Sequence, residues 1–137
     1  PLYPEVPARM LAATEYLIDQ GLDTIVVVAH SQGATMASYY LARYKHDVKA
    51  LVAIGMSAQH TQLTINSAES LKFIDIPVLD IFGGRDFPTV LQTAEMRQQA
   101  SAHNNLYKQW VIAGAYHFFD DTDHERQLLP VPYTLLQ

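Results

Sequence analysis

Cysteine is absent from the 137 residues. Disulfides, thiolate catalysis and cysteine-ligated zinc are therefore excluded, while the redox compartment stays open. Basic residues are few and scattered: nine Lys and Arg stand against fourteen Asp and Glu, for a net charge of −5. Without a Lys/Arg cluster the sequence offers neither a phosphate-binding surface for nucleic acid nor a polybasic membrane patch. No apolar run approaches the ~18 residues of a membrane span. No charged n-region followed by an apolar h-region marks a signal peptide at the start. Glycines number six, and no GxGxxG among them opens a helix after a strand, so a dinucleotide fingerprint is missing. Hydrophobic residues make up 49% and charged residues 17%, which rules out a disordered or collagen-like chain. At about 150 residues per domain the length allows one domain at most.

What is present alternates. Residues 5–20 read as a helix, with Pro7 in its first turn, a stripe of Met10, Leu11, Ala13, Tyr16, Leu17 and Ile18, and Gly21 as a C-cap. Ile25 to Ala29 is short, β-branched and continuously apolar, which predicts a strand buried on both faces. A turn at 30–33 leads into a helix from Ala34 to Tyr44. Further strands are predicted at 48–55, 76–82 and 106–112, and helices at 89–102 and, more briefly, near 67–72. Asp121 or Thr122 can cap a last short helix through Leu129. Strands alternating with helices imply βαβ units and a parallel sheet, an α/β architecture with four visible strands.

Three loops that follow strands each hold one residue type that nucleophilic catalysis needs: Ser31, Asp86 and His117. In a parallel sheet these loops share the carboxyl edge, so the three can converge. Val28-Ala29-His30-Ser31-Gln32-Gly33-Ala34 reads as a strand, a sharp turn and a helix. A serine in such an elbow sits in a strained backbone conformation, and Ala29 and Gly33 are expected to be small so that they do not collide. The turn places the hydroxyl at a helix N-terminus, where the amide of Gln32 and the helix dipole favour a developing oxyanion.

Each of these residues also has a plainer reading. Ser31 can be a helix N-cap, Asp86 a turn residue beside Gly83 and Gly84, and His117 a loop histidine packed on Tyr116 and Phe118. Asp80 is the rival acid, but it falls inside a strand. His124 is the rival histidine, in an acidic stretch better suited to a solvated helix start. No second ligand cluster accompanies it, so no metal is expected. His30 reads as a residue packed beside the nucleophile. His46, His60 and His103 read as surface residues, and Trp110 as core.

Nearly the whole chain resembles the carboxyl-terminal half of an α/β-hydrolase. Ala29-His30-Ser31-Gln32-Gly33 matches the nucleophile elbow, with Ala29 in place of the first glycine. Gly83-Gly84-Arg85-Asp86-Phe87-Pro88 matches the loop that bears the acid, and Gly114-Ala115-Tyr116-His117-Phe118-Phe119 the loop that bears the histidine. The superfamily includes poorly characterised bacterial branches among which such a chain fits. The resemblance implies one α/β-hydrolase-like domain over 1–137, incomplete at its N-terminus, with Ser31 as nucleophile, His117 as general base and Asp86 as its orienting acid. It implies no cofactor. A mostly apolar pocket is expected from Gln32, Met56, Phe87, Pro88, Tyr116 and Phe118, suited to a small-molecule acyl substrate.

In the resembling family a second oxyanion donor and the early strands precede the position of Pro1. The strand at 25–29 would otherwise be a bare apolar edge, so an upstream segment or a second chain is expected to cover it. The expected function is a serine hydrolase cleaving an ester, thioester or related acyl bond. The competing expectation is a catalytically silent module of the same fold used for binding or as a scaffold. Carbon–carbon bond hydrolysis or peptidase action is a weaker third.

Overall fold

The computed structural model describes residues 3–59 and 62–120. The predicted helix at 121–129, His60 and His124 lie outside the described residues. After a 3-10 turn at Tyr3–Glu5, the elements run α1 (Val6–Asp19), β1 (Ile25–His30), α2 (Gln32–Arg43) and β2 (Val48–Ile54). A 3-10 turn at Leu63–Ile65 and α3 (Ser67–Leu71) lead to β3 (Val78–Gly83). Then come α4 (Pro88–Gln92), α5 (Ala94–Ala100) and β4 (Tyr107–Ile112).

The four strands form one sheet in the order β1-β2-β3-β4, every neighbouring pair parallel. Consecutive parallel strands joined by crossovers of one hand, always progressing in the same direction, put every connecting helix on the same face. The burial follows this rule. Ile25, Leu51, Ala53 and Val78 on the helix-bearing face join Ala34, Ala37 and Leu41 of α2 and Leu71 of α3 in one core. Leu51 is fully enclosed there, a burial that stabilises by about 1.5–3 kcal/mol.

The opposite face changes one expectation. β1 is not buried on both sides: Val26 is 49% and Val28 65% exposed. The register extends this uncovered face across the sheet, Val28 beside Val52 and Val52 beside Leu79, with Ile54, Ile81 and Trp110 aligned in the next row. Trp110 is accordingly half-buried rather than core. β1 is also the edge strand, with no neighbour beyond it among the described residues.

The predicted helix at 89–102 is two helices, α4 and α5, broken at Thr93. The Thr93 hydroxyl donates to the Thr89 carbonyl at 2.6 Å and accepts from the Ala58 amide and from Nη1 of Arg97. A hydroxyl committed this way bends the helix that carries it. Arg97 then reaches the helix-covered face of the sheet and meets Asp80 at 2.7 Å, both side chains fully buried. Asp80 also accepts from the Tyr107 hydroxyl at 2.6 Å and from Gln109. Burial first, then the Asp80 charge, push the Tyr107 phenol well above its ordinary value, so it remains a donor. Asp80, the rival acid, is thus occupied within the fold.

Candidate active site

The carboxyl ends of the strands release the loops of the site at successive points along the ladder. The Ser31 amide still donates to the Ile54 carbonyl, Gly55 to Ile81 and Gly84 to Ile112, before each chain turns away. Ser31 makes that turn in a single residue, at φ 56° and ψ −125°. This left-handed conformation costs an L-residue with a side chain on the order of 1–3 kcal/mol. The hydroxyl makes no helix-capping hydrogen bond, so the N-cap reading does not account for it.

The structure brings Ser31, Asp86 and His117 together. The Ser31 hydroxyl lies 2.8 Å from Nε2 of His117, and Nδ1 of His117 lies 2.6 Å from Oδ1 of Asp86. An ionised carboxylate only accepts, so Nδ1 carries the proton, Nε2 is free to accept, and Ser31 donates to it. His117 is 3% exposed, and the Asp86 carboxylate is enclosed with it. Asp86 also accepts from the amides of Phe87 at 2.7 Å and Gly83 at 3.3 Å. Its turn-forming role and its contact with the imidazole therefore coexist.

The imidazole is packed on every side. Phe87 stacks on it at 4.1 Å between ring centroids, and Phe118 meets it edge-on at 4.8 Å. His30 lies 4.8 Å away and donates from Nε2 to the His117 carbonyl at 2.8 Å, tying the end of β1 to the histidine loop. Gly55, at φ +60°, closes the remaining side; a Cβ there would stand 2.9 Å from Cε1 of His117.

A cleft of about 180 Å³ opens beside the serine, lined by Gln32, Thr35, Gly55, Ser57, Gln59, Phe87, Thr89 and Val90 as well as Ser31 and His117. Of the expected pocket residues, Gln32 and Phe87 lie on it. Met56 does not: it is 0% exposed and belongs to the core, because Gly55 takes the cleft position and turns the next side chain inward. Tyr116 and Phe118 are exposed outside the cleft, Tyr116 in contact with Arg85 and Phe118 with the imidazole. Pro88 likewise lies outside its lining.

The cleft wall is also more polar than the sequence suggested. Thr35, one helical turn beyond Ser31, had a readable signal in its i,i+4 spacing. Ser57 and Gln59 had none, being part of an irregular stretch. That stretch is held at Ala58, whose amide donates to Thr93 and whose carbonyl accepts from Asn66. Gly33 differs from expectation too: a Cβ there would meet nothing within 4 Å. Among the described residues nothing there requires a small residue.

Among the described residues no group of three or more His, Asp or Glu side chains is placed to hold a metal ion. The Gln32 amide heads α2, where the first N–H groups of a helix have no acceptor within it.

Solved structures share this architecture. The esterase domain of a Rhodothermus marinus protein matches with a TM-score of 0.68 at 16% identity, over 85% of this chain and 62% of that one. Dienelactone hydrolase from Anabaena variabilis matches at 0.67 and 21%, over 89% and 54%. Dipeptidyl peptidase 4 from Porphyromonas gingivalis matches at 0.63 and 15%, over 82% and 18%. The chain thus spans less than two thirds of the length of each, and identities this low show the fold alone. No curated protein matches. The model of the family described as a protein of unknown function, DUF3530, matches residues 3–115. The chain therefore belongs to the DUF3530 family and has the α/β-hydrolase fold, of which it forms a part containing four parallel strands.

Proposed function

We propose that this chain carries the catalytic residues of a serine hydrolase acting on an ester, thioester or related acyl bond. The supporting observation is the unbroken hydrogen-bonded line from Ser31 through His117 to Asp86 at 2.8 and 2.6 Å. On this reading Ser31 Oγ attacks the acyl carbonyl while Nε2 of His117 takes its proton. Asp86 holds the imidazole in the required tautomer and stabilises the imidazolium. The carbonyl oxygen, now negative, is met by the Gln32 amide at the head of α2. His117 then returns the proton to the leaving group as the tetrahedral intermediate collapses to an acyl-serine. Water attacks this ester with His117 again as base, releasing the acid and restoring Ser31.

A fluorophosphonate probe tests the reading on the full-length protein. Labelling at Ser31 is expected, with complete loss in Ser31→Ala. In His117→Ala the rate should drop by several orders of magnitude, since removing either member of such a unit typically costs on the order of 10⁴–10⁶-fold. Circular dichroism should show the fold retained. A folded wild-type protein that never labels would favour a silent binding or scaffold module instead.

A further inference from the structure

The cleft beside Ser31 has two properties that bear on what it accepts. It is small: the volume of about 180 Å³ that the described residues enclose falls below the ~300–1,000 Å³ that takes drug-sized ligands, so they give a long alkyl chain no enclosed channel. Its wall is polar without being charged. Gln32, Thr35, Ser57, Gln59 and Thr89 line it, and among the described residues no Lys, Arg, Asp or Glu does. Among the described residues an anionic or cationic acyl group finds no counter-charge to offset its desolvation.

The polar side chains are also unengaged. Thr35 is 92% buried (8% exposed) and lines the cleft, yet its hydroxyl makes no hydrogen bond with any described residue. The same holds for the Ser57 hydroxyl, although the Ser57 backbone is fixed by the bond from Ser67 to its carbonyl. Both residues line the cleft and neither hydroxyl is sealed off in the core, so each is available to a ligand donor or acceptor. Phe87 and Val90 supply the apolar part of the wall against which a short carbon skeleton packs.

We propose that the site selects a short, uncharged acyl group that carries its own hydroxyl or carbonyl within reach of Thr35 and Ser57. The inference rests on the serine-hydrolase reading and narrows its substrate class.

The test compares p-nitrophenyl lactate, propionate and octanoate on the full-length protein, each kcat/KM divided by the ester's hydroxide-catalysed rate. Lactate is expected to exceed propionate about tenfold, the worth of a neutral hydrogen bond or two. Octanoate should fall at least tenfold below propionate. Thr35→Val and Ser57→Ala should each bring the lactate-to-propionate ratio toward one. Parity in the wild type, preference for octanoate, or a ratio unmoved in both variants overturns the inference while Ser31 still labels with fluorophosphonate. An unlabelled Ser31 with no ester turned over overturns it together with the hydrolase reading.

Discussion

Gly55 shows how closely single residues set the geometry of the site. Its positive φ and its contact with the imidazole act together: alanine there would add a Cβ 2.9 Å from Cε1 of His117 and about 1–2 kcal/mol of backbone strain. Gly55→Ala is expected to slow fluorophosphonate labelling of Ser31 at least tenfold while the protein still folds; labelling at the wild-type rate would show that the imidazole has room to spare. That Ser31, Asp86 and His117 could meet was legible in the sequence because each follows an apolar run and sits among small residues. Gly55 and Ser57 were not. The end of β2 reads as a strand running into a polar stretch, and which side chain turns toward the cleft depends on where the ladder bond from Gly55 to Ile81 ends. Met56 was misplaced for that reason: one residue of register moves a side chain from the wall to the core.

At the scale of elements, alternation made the four strands and their parallel arrangement readable, since continuous apolar runs and amphipathic stripes have different periods. The break between α4 and α5 was not readable. It depends on Thr93 gathering partners from Ala58 and Arg97, contacts that exist only once β3 and α5 are packed. The buried pair beneath it makes a second prediction. Arg97→Met leaves Asp80 enclosed and without its cation, which is expected to cost about 3–5 kcal/mol. Pairing it with Asp80→Leu should recover most of the loss in urea denaturation. Equal destabilisation by the single and double variants would mean that the pair acts through packing rather than charge.

For the described residues as a whole, the one-sided distribution of helices is the governing fact. Strand composition alone suggested two covered faces, because Val and Ile suit either environment. The strand order β1-β2-β3-β4 decides otherwise, and order is fixed by pairing over long sequence distances that no local pattern records. Val26 and Val28 are thereby left exposed on a strand that is also an edge, a combination that invites association. Residues 1–137 expressed alone are expected to elute from size-exclusion chromatography as oligomers or aggregates. A well-behaved monomer would argue against any need for an upstream segment or a second chain along β1.

The left-handed backbone at Ser31 has a bearing on natural variation. Glycine adopts φ 56° without penalty, so Ser31→Gly should melt at a higher temperature than the wild type by an amount matching about 1 kcal/mol. Selection for durability alone would drift toward glycine at this position, and a lineage that keeps serine there against that pull carries a standing thermodynamic tax for the hydroxyl. Calorimetry on the two proteins puts a figure on that tax.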